Sequence, residues 1–334
     1  MTKYFCRLML AFLVVVSLTV GCAPKESAPP VAEQAPEATE VVLTEEDLLE
    51  RGRYLVEGPM HCLACHSELD WSSAGIPPLP GRKGVGAVFP DVNVPGLVVA
   101  SNITPDPETG IGEWTDEELG RAIREGVGRD GRRLFPAMPY MFFRALSDAD
   151  LAAVIAYIRS LDPVHNQPPT TEIPEPVMAS LPPHQPITEP VPSPDRSDPM
   201  AYGAYLIQIA NCIECHTPLT PEGHPMMELM LSGGRILEGP WGKVAAPNLT
   251  TDPSGIPYYT EELFIEVMRT GMVSARDLND IMVWGYYKNM TDDDLSAIFA
   301  YLQALEPIKH RVSNTEPPTP CPKCGQSHGL GDQN

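Results

Sequence analysis

Two passages of this chain repeat one another, and the repeat restricts the fold more than any other feature. LLERGRYLVEGPMHCLACH and PMAYGAYLIQIANCIECH each lead a Gly-x-Tyr-Leu stretch (Gly52–Leu55 and Gly203–Leu206) into Cys-x-x-Cys-His. Downstream, NITPDPETGIGEWTDEELGRAIREGV is answered by NLTTDPSGIPYYTEELFIEVMRTGM, so that Asn102 matches Asn248, Thr115 matches Thr260 and Gly126 matches Gly271. The final segments align without a gap, 144 residues apart. Self-similarity over this length means two copies of one structural unit.

Each copy closes on an amphipathic helix. Ser147 and Thr291 are natural N-caps followed by acidic first turns. Leu151, Val154, Ile155 and Ile158, and in the second copy Leu295, Ile298, Phe299 and Leu302, recur at i, i+3, i+4, i+7, one buried helical face. SLDPV and ALEPI then stop both helices with proline. No strand-like alternation recurs, so the expected class is mainly α, with domains at 44–165 and 199–310. Between them residues 166–198 are dense in proline, which excludes a helix or central strand in the simplest reading and implies an extended connector lying on the surface of one or both domains.

Cys-x-x-Cys alone fits a disulfide oxidoreductase, half a zinc site or a structural bridge. With His directly after the second cysteine, in a chain whose start reads as an export signal, it points to covalent haem c. Two thiols three residues apart can bond the vinyl-derived carbons on one porphyrin edge, and the next imidazole falls below the iron. A zinc site would need two further ligands in each copy, and a thioredoxin-like site a βαβ setting that is absent. Two covalently bound haem c groups are therefore expected, on Cys62 and Cys65 with His66 proximal, and on Cys212 and Cys215 with His216 proximal. For the sixth ligand, Met138 sits between prolines in RRLFPAMPYMFF and is preferred to Met141. The same offset carries Met138 onto Met282 of LNDIMVWGYYKNM, and Leu146 onto Met290, which reads as core. Rivals to Met282 are Met272 and, for a bis-histidine iron, His224 or His310. No role falls to His61, His165 or His184.

These motifs resemble the class I type cytochrome c family as two fused domains. More narrowly, NITPDPETGIGEWTDEELGRAIREGV, LFPAMPY and LSDADLAAVIAYIRSL are similar to the cytochrome c subunits of bacterial membrane-bound alcohol and sugar-acid dehydrogenases. Such subunits typically carry three haems; this chain has two Cys-x-x-Cys-His motifs, which points to a related dihaem carrier. The resemblance implies, in each domain, an N-terminal helix (from about Glu45; from Pro199), a middle helix (Thr115 to Glu125; Thr260 to Thr270) and the closing helix. The first and last would cross beside the haem, with Tyr54 and Tyr157, and Tyr205 and Tyr301, near the crossing. Trp114 and Tyr259 would pack near the haem or serve as ordinary core.

The two termini carry separate signals. Lys3 and Arg7 precede an apolar stretch ending at Gly21-Cys22. This resembles a bacterial lipoprotein signal at 1–21, with Cys22 lipidated, although Thr19 stands where such signals prefer Leu. Residues 22–43, rich in Pro, Ala and Glu, read as a flexible tether. The implied location is the periplasmic side of a bacterial membrane, held by the lipid anchor. At the other end, within the 311–334 tail, Cys321 and Cys324 are followed by Gly325 where a proximal histidine would stand, so they are not a third haem motif. A local disulfide, or a metal site with His328, remains open there.

A net charge of −21 argues against nucleic acid as a partner and favours docking to a basic protein patch. The expected function is electron transfer between a periplasmic donor, such as a dehydrogenase or another cytochrome, and an acceptor such as a terminal oxidase, with no small-molecule substrate and no catalytic residue assigned. The alternatives are a dihaem enzyme, peroxidase-like or thiosulfate-oxidising, with one displaceable axial ligand, and a haem-based sensor or structural subunit of a respiratory complex.

Overall fold

The computed structural model describes residues 44–91, 93, 95–220, 223–273 and 276–312, and the backbone of 319–320 and 327–328. The signal reading of 1–21, Cys22, the tether, Cys321 and Cys324 lie outside the described residues. His328 is described only as the backbone partner of Thr319. The described residues fall in one compact unit.

The class is mainly α, as the hydrophobic periodicity implies. Helices α1 (Glu45–Glu57), α2 (Cys62–His66), α3 (Asp116–Glu125), α4 (Tyr140–Phe143) and α5 (Asp148–Arg159) make up the first repeat. After α6 (Glu175–Ser180), the second repeat runs through α7 (Pro199–Ile209), α8 (Cys212–His216), α9 (Glu261–Thr270), α10 (Trp284–Tyr287) and α11 (Asp292–Ala304). Antiparallel strand pairs too short for a periodicity signal lie between them: β1 (Ala87–Val88) with β2 (Val99–Ala100), β3 (Ile236–Gly239) with β4 (Gly242–Ala245), β5 (Met272–Val273) with β6 (Arg276–Asp277), and β7 (Thr319–Pro320) with β8 (Ser327–His328). Among the described residues no helix is long and apolar enough to cross a membrane.

Helix boundaries follow their caps. Thr115, Thr260, Ser147 and Thr291 each accept a hydrogen bond from the backbone N–H three residues on. Gly126 and Gly271 end α3 and α9 in the left-handed conformation, where glycine carries no Cβ penalty. The eight apolar residues picked out on α5 and α11 are all buried.

The glycine of each Gly-x-Tyr-Leu stretch is where the first and last helices of a repeat cross. A Cβ on Gly52 would collide with the Ala153 carbonyl oxygen and meet the Tyr157 Cβ at 2.7 Å. A Cβ on Gly203 would collide with Ala297 and meet the Tyr301 Cβ at 2.8 Å. Tyr157 and Tyr301 thus lie at the crossings. Tyr54 and Tyr205 do not pair with them there: each hydroxyl reaches the opposite repeat. The Tyr205 hydroxyl donates to Asp150 Oδ2 at 2.6 Å and faces the Ser147 N–H at 3.4 Å. The Tyr54 hydroxyl donates to Asp294 Oδ2 at 2.5 Å and accepts from the Thr291 N–H at 3.2 Å. In α1 and α3 the third helical residue's carboxylate bonds straight back to the N-cap N–H, closing a capping box. In α5 and α11 a tyrosine from the other repeat stands between those two groups. One continuous apolar core accordingly draws on both repeats.

The proline-rich stretch corrects the expectation of no helix. α6 forms with Pro176 in its first turn, where a missing N–H breaks no helical bond. As far as Val191 the rest lies along the first repeat, while Arg196 lies over the Tyr202 ring and Asp198 caps α7. Glu172 pairs with Leu97, Arg144 donates to the Gln185 carbonyl, His184 Nε2 sits 2.7 Å from Glu125, and Val191 exchanges bonds with Asp148.

Gly52→Ala or Gly203→Ala should each destabilise the protein by about 1–3 kcal/mol through overpacking, read from denaturant unfolding. Burial disfavours the ionised Asp150, but the bidentate bond from Arg51 and the bond from Tyr205 outweigh it and hold its carboxyl below the ordinary value. A depressed folded pKa stabilises fully above about pH 4 and is lost as pH falls through the lower folded value. Acid unfolding should therefore be less steep below pH 4 in Asp150→Asn than in the parent.

Candidate haem-binding sites

Both Cys-x-x-Cys-His motifs are single helical turns entered through a left-handed residue, His61 at φ 39° and Asn211 at φ 58°. That reversal carries the chain from the N-terminal helix of each repeat into α2 or α8. Three-residue spacing on a helix puts the two sulfurs of each pair on one face. None of the four cysteines is paired in a disulfide. Burial pushes Cys62, Cys65 and Cys212 up to about 12 and Cys215 to about 11, so they stay protonated at neutral pH. Among the described residues no three His, Cys, Asp or Glu side chains converge on a point, the arrangement that zinc would need.

The histidines are oriented alike. His66 Nδ1 lies 2.7 Å from the Ser101 carbonyl oxygen, and His216 Nδ1 lies 2.8 Å from that of Pro247. The carbonyl makes Nδ1 the protonated nitrogen and leaves Nε2, the tautomer a metal ligand needs. Burial lowers the pKa of both rings, favouring neutral imidazole.

Each orienting carbonyl is itself braced. Asn102, next to Ser101, accepts from the Thr104 N–H and hydroxyl and donates to the Val164 carbonyl at 2.9 Å. Asn248, next to Pro247, does the same with Thr250 and the Ile308 carbonyl. Gly86 and Gly233 donate to the His66 and His216 carbonyls. Both have positive φ, and a Cβ on either would press into the backbone beside Asn102 or Asn248. The sequence shows the matched asparagines without a role for them, and the two glycines escape notice because neither falls in a turn motif.

The methionine loops also correspond. Met138 and Met282 are half-buried against the core, whereas Met141 is 42% exposed and Met272 37%. Two residues beyond each methionine, Tyr140 and Trp284 pack on the helix-ending glycines: a Cβ on Gly126 would meet the Tyr140 ring at 2.5 Å, and one on Gly271 would collide with the Trp284 ring. The loops thus have the same anchor, as the offset of 144 implies. Met290 is core, like Leu146. His310 lies on the His216 side: its Nδ1 faces the Ser232 carbonyl at 3.0 Å, one residue before Gly233. Asn166 of the first repeat bonds the Val85 carbonyl, one residue before Gly86, in the same way. His310 is thus a brace on a backbone carbonyl beside the His216 motif. His224 is exposed on a turn.

A cavity of about 1200 Å³ opens between the repeats. Its wall includes Cys65, Cys212, Cys215, His216 and Met282, with Tyr259 and the residues on either side of Met138; His66, Met138 and Trp114 lie off it. The motifs face one another: Cys65 lies near Glu214 and Cys215, and Tyr286 of the second repeat lies near Cys65 and Cys62. His61 meets Tyr287 edge-on with ring centroids 5.5 Å apart. Paired thiols, a neutral imidazole with Nε2 available and an apolar cavity fit covalently bound haem c.

Gly126→Ala and Gly271→Ala should each cost at least about 1–2 kcal/mol, because a Cβ at positive φ is strained and also meets the aromatic anchor. Denaturant unfolding would check this.

Comparison with known proteins agrees with this geometry. Residues 49–162 match the Cytochrome c family. A nicotinate dehydrogenase subunit of Pseudomonas putida is 33% identical over 78% of this chain and 21% of its own length. The cytochrome c subunit of alcohol dehydrogenase (quinone) from Gluconacetobacter polyoxogenes is 30% identical over 80% of this chain and 58% of its own length. A diheme cytochrome c-type protein of Cereibacter sphaeroides is 27% identical over 74% of this chain and 83% of its own length. The chain thus spans about a fifth of the first relative and under two thirds of the second. Residues 49–162 thus match a cytochrome c domain, and the chain is similar to the cytochrome c subunit of alcohol dehydrogenase (quinone).

Proposed function

We propose that this chain is a dihaem c-type cytochrome that relays electrons from a dehydrogenase or another cytochrome to a downstream acceptor such as a terminal oxidase. One observation carries the reading: two Cys-x-x-Cys-His motifs have matching histidine and asparagine bonds, and their thiols face each other across one seam. The architecture is two tandem cytochrome c domains, 44–165 and 199–310, joined by the proline-rich linker 166–198. Cys62 and Cys65, and Cys212 and Cys215, would hold haem c covalently, while His66 with Met138, and His216 with Met282, would supply the iron ligands. Haem c, when bound, supplies a one-electron ferric–ferrous couple.

The chain's own part is to orient and to enclose. Ser101 and Pro247 fix the imidazole tautomers, the anchored loops present the thioethers, and the shared core excludes water. An iron held by a histidine and a methionine in this way would have no open position for oxygen or peroxide, which supports a carrier rather than an enzyme. Relatives named as cytochrome subunits of alcohol and fructose dehydrogenases support a dehydrogenase as donor. The acidic composition supports docking to a basic patch, felt mainly in the association rate. Export and anchoring through lipidated Cys22 would hold the relay at the periplasmic face of the membrane.

A redox titration of the purified protein, followed by visible spectra, should take up two electrons per chain with the weak methionine-to-iron band in the red present. Uptake of one electron, or ligand exchange on reduction, would overturn the scheme. Met138→Ala and Met282→Ala should each remove about half of that band.

A further inference from the structure

The two methionine loops are anchored alike but stiffened differently. In the first repeat Pro136 and Pro139 flank Met138 and fix its backbone from within. In the second, Asp280 to Met282 form a single 3-10 turn followed by Val283 at φ 53°, a left-handed conformation that a β-branched residue adopts only when its surroundings impose it. Much of what surrounds this loop comes from the first repeat. The Gly75 N–H donates to Asp280 Oδ1 at 3.1 Å. Gly285 lies against the Gly75 backbone so closely that a Cβ there would collide with the Gly75 carbonyl oxygen. Trp71 stacks on buried Trp241, with centroids 6.0 Å apart and planes at 25°. The Trp241 carbonyl in turn accepts from buried Asn279 at 3.0 Å, and Asn279 caps the turn carrying Met282 by accepting from the Ile281 N–H.

We propose that the 71–75 segment of the first repeat is a positioning element for Met282, so that axial ligation in the second repeat depends on contact between the repeats. The inference rests on the reading of Met282 as an axial ligand. Trp71, Gly75 and Asn279 then act through the loop, and none of them touches the iron.

The test compares Gly285→Ala, Trp71→Ala, Trp71→Phe and Met282→Ala in the full haem-loaded chain. The readouts are the red methionine-to-iron band and the two midpoint potentials. Gly285→Ala and Trp71→Ala should each lose about half the band and lower one midpoint potential, leaving the other in place; Trp71→Phe, which keeps a stacking ring, should restore both. If Met282→Ala halves the band but Trp71→Ala keeps band and potentials intact, the positioning role is overturned and the ligand stands. If Met282→Ala leaves the band whole, the ligand assignment fails and the inference with it. Should Gly285→Ala fail to take up haem, the Trp71 pair decides alone.

Discussion

Two tyrosine hydroxyls, each inserted into the first turn of a helix belonging to the other repeat, determine how everything else is arranged. A helix start carries unpaired N–H groups and a partial positive charge, which a capping acid ordinarily answers from within the helix. Here Asp150 and Asp294 give a share of that bonding to Tyr205 and Tyr54. The exchange is reciprocal, so it sets an approximate two-fold relation between the repeats. It is also asymmetric in charge, since Arg51 backs Asp150 and Tyr202 occupies the matching place in the second repeat. The reciprocal placement brings the two thiol pairs onto one seam instead of opposite ends of the molecule.

Much of this is legible in the residues. The repeat, the serine and threonine caps of α5 and α11, the buried helical stripes and the paired cysteines all write themselves into short windows of sequence, because each is a local demand of backbone geometry or helix periodicity. The glycine of Gly-x-Tyr-Leu is visible as a match, and its reason is steric: there two helix backbones touch. The tyrosine two positions later reads as part of the same crossing, because nothing local distinguishes a side chain that packs within its own repeat from one that leaves it. Tyr54 and Asp294 are 240 residues apart, and no window contains both. The two-residue strands and α6 escape for another reason. The former are shorter than any periodicity, and the latter places its proline where a helix tolerates it.

At the candidate sites the residue types can be read and the scaffolding cannot. The histidine after each cysteine pair is evident, whereas the carbonyl that selects its tautomer belongs to Ser101 in one repeat and Pro247 in the other, with no shared side chain to mark it. His310 shows the converse hazard. Its residue type suggests a ligand, but it stands where Asn166 stands in the first repeat and does the same bracing work on a backbone carbonyl.

The exchanged tyrosines have a consequence for how such a chain could be divided. As far as Val191 the linker makes its bonds along the first repeat, whereas Arg196 lies over the Tyr202 ring and Asp198 caps α7, so a cut upstream of Arg196 leaves the second repeat's own bonds in place. Either half set free would nonetheless expose its share of a common apolar core and leave a buried carboxylate without its tyrosine. A chain cleaved in 186–190 would therefore stay together as a non-covalent pair, the two fragments recognising one another through the same swapped hydroxyls. In that sense the fusion supplies proximity, and the interface supplies the fold.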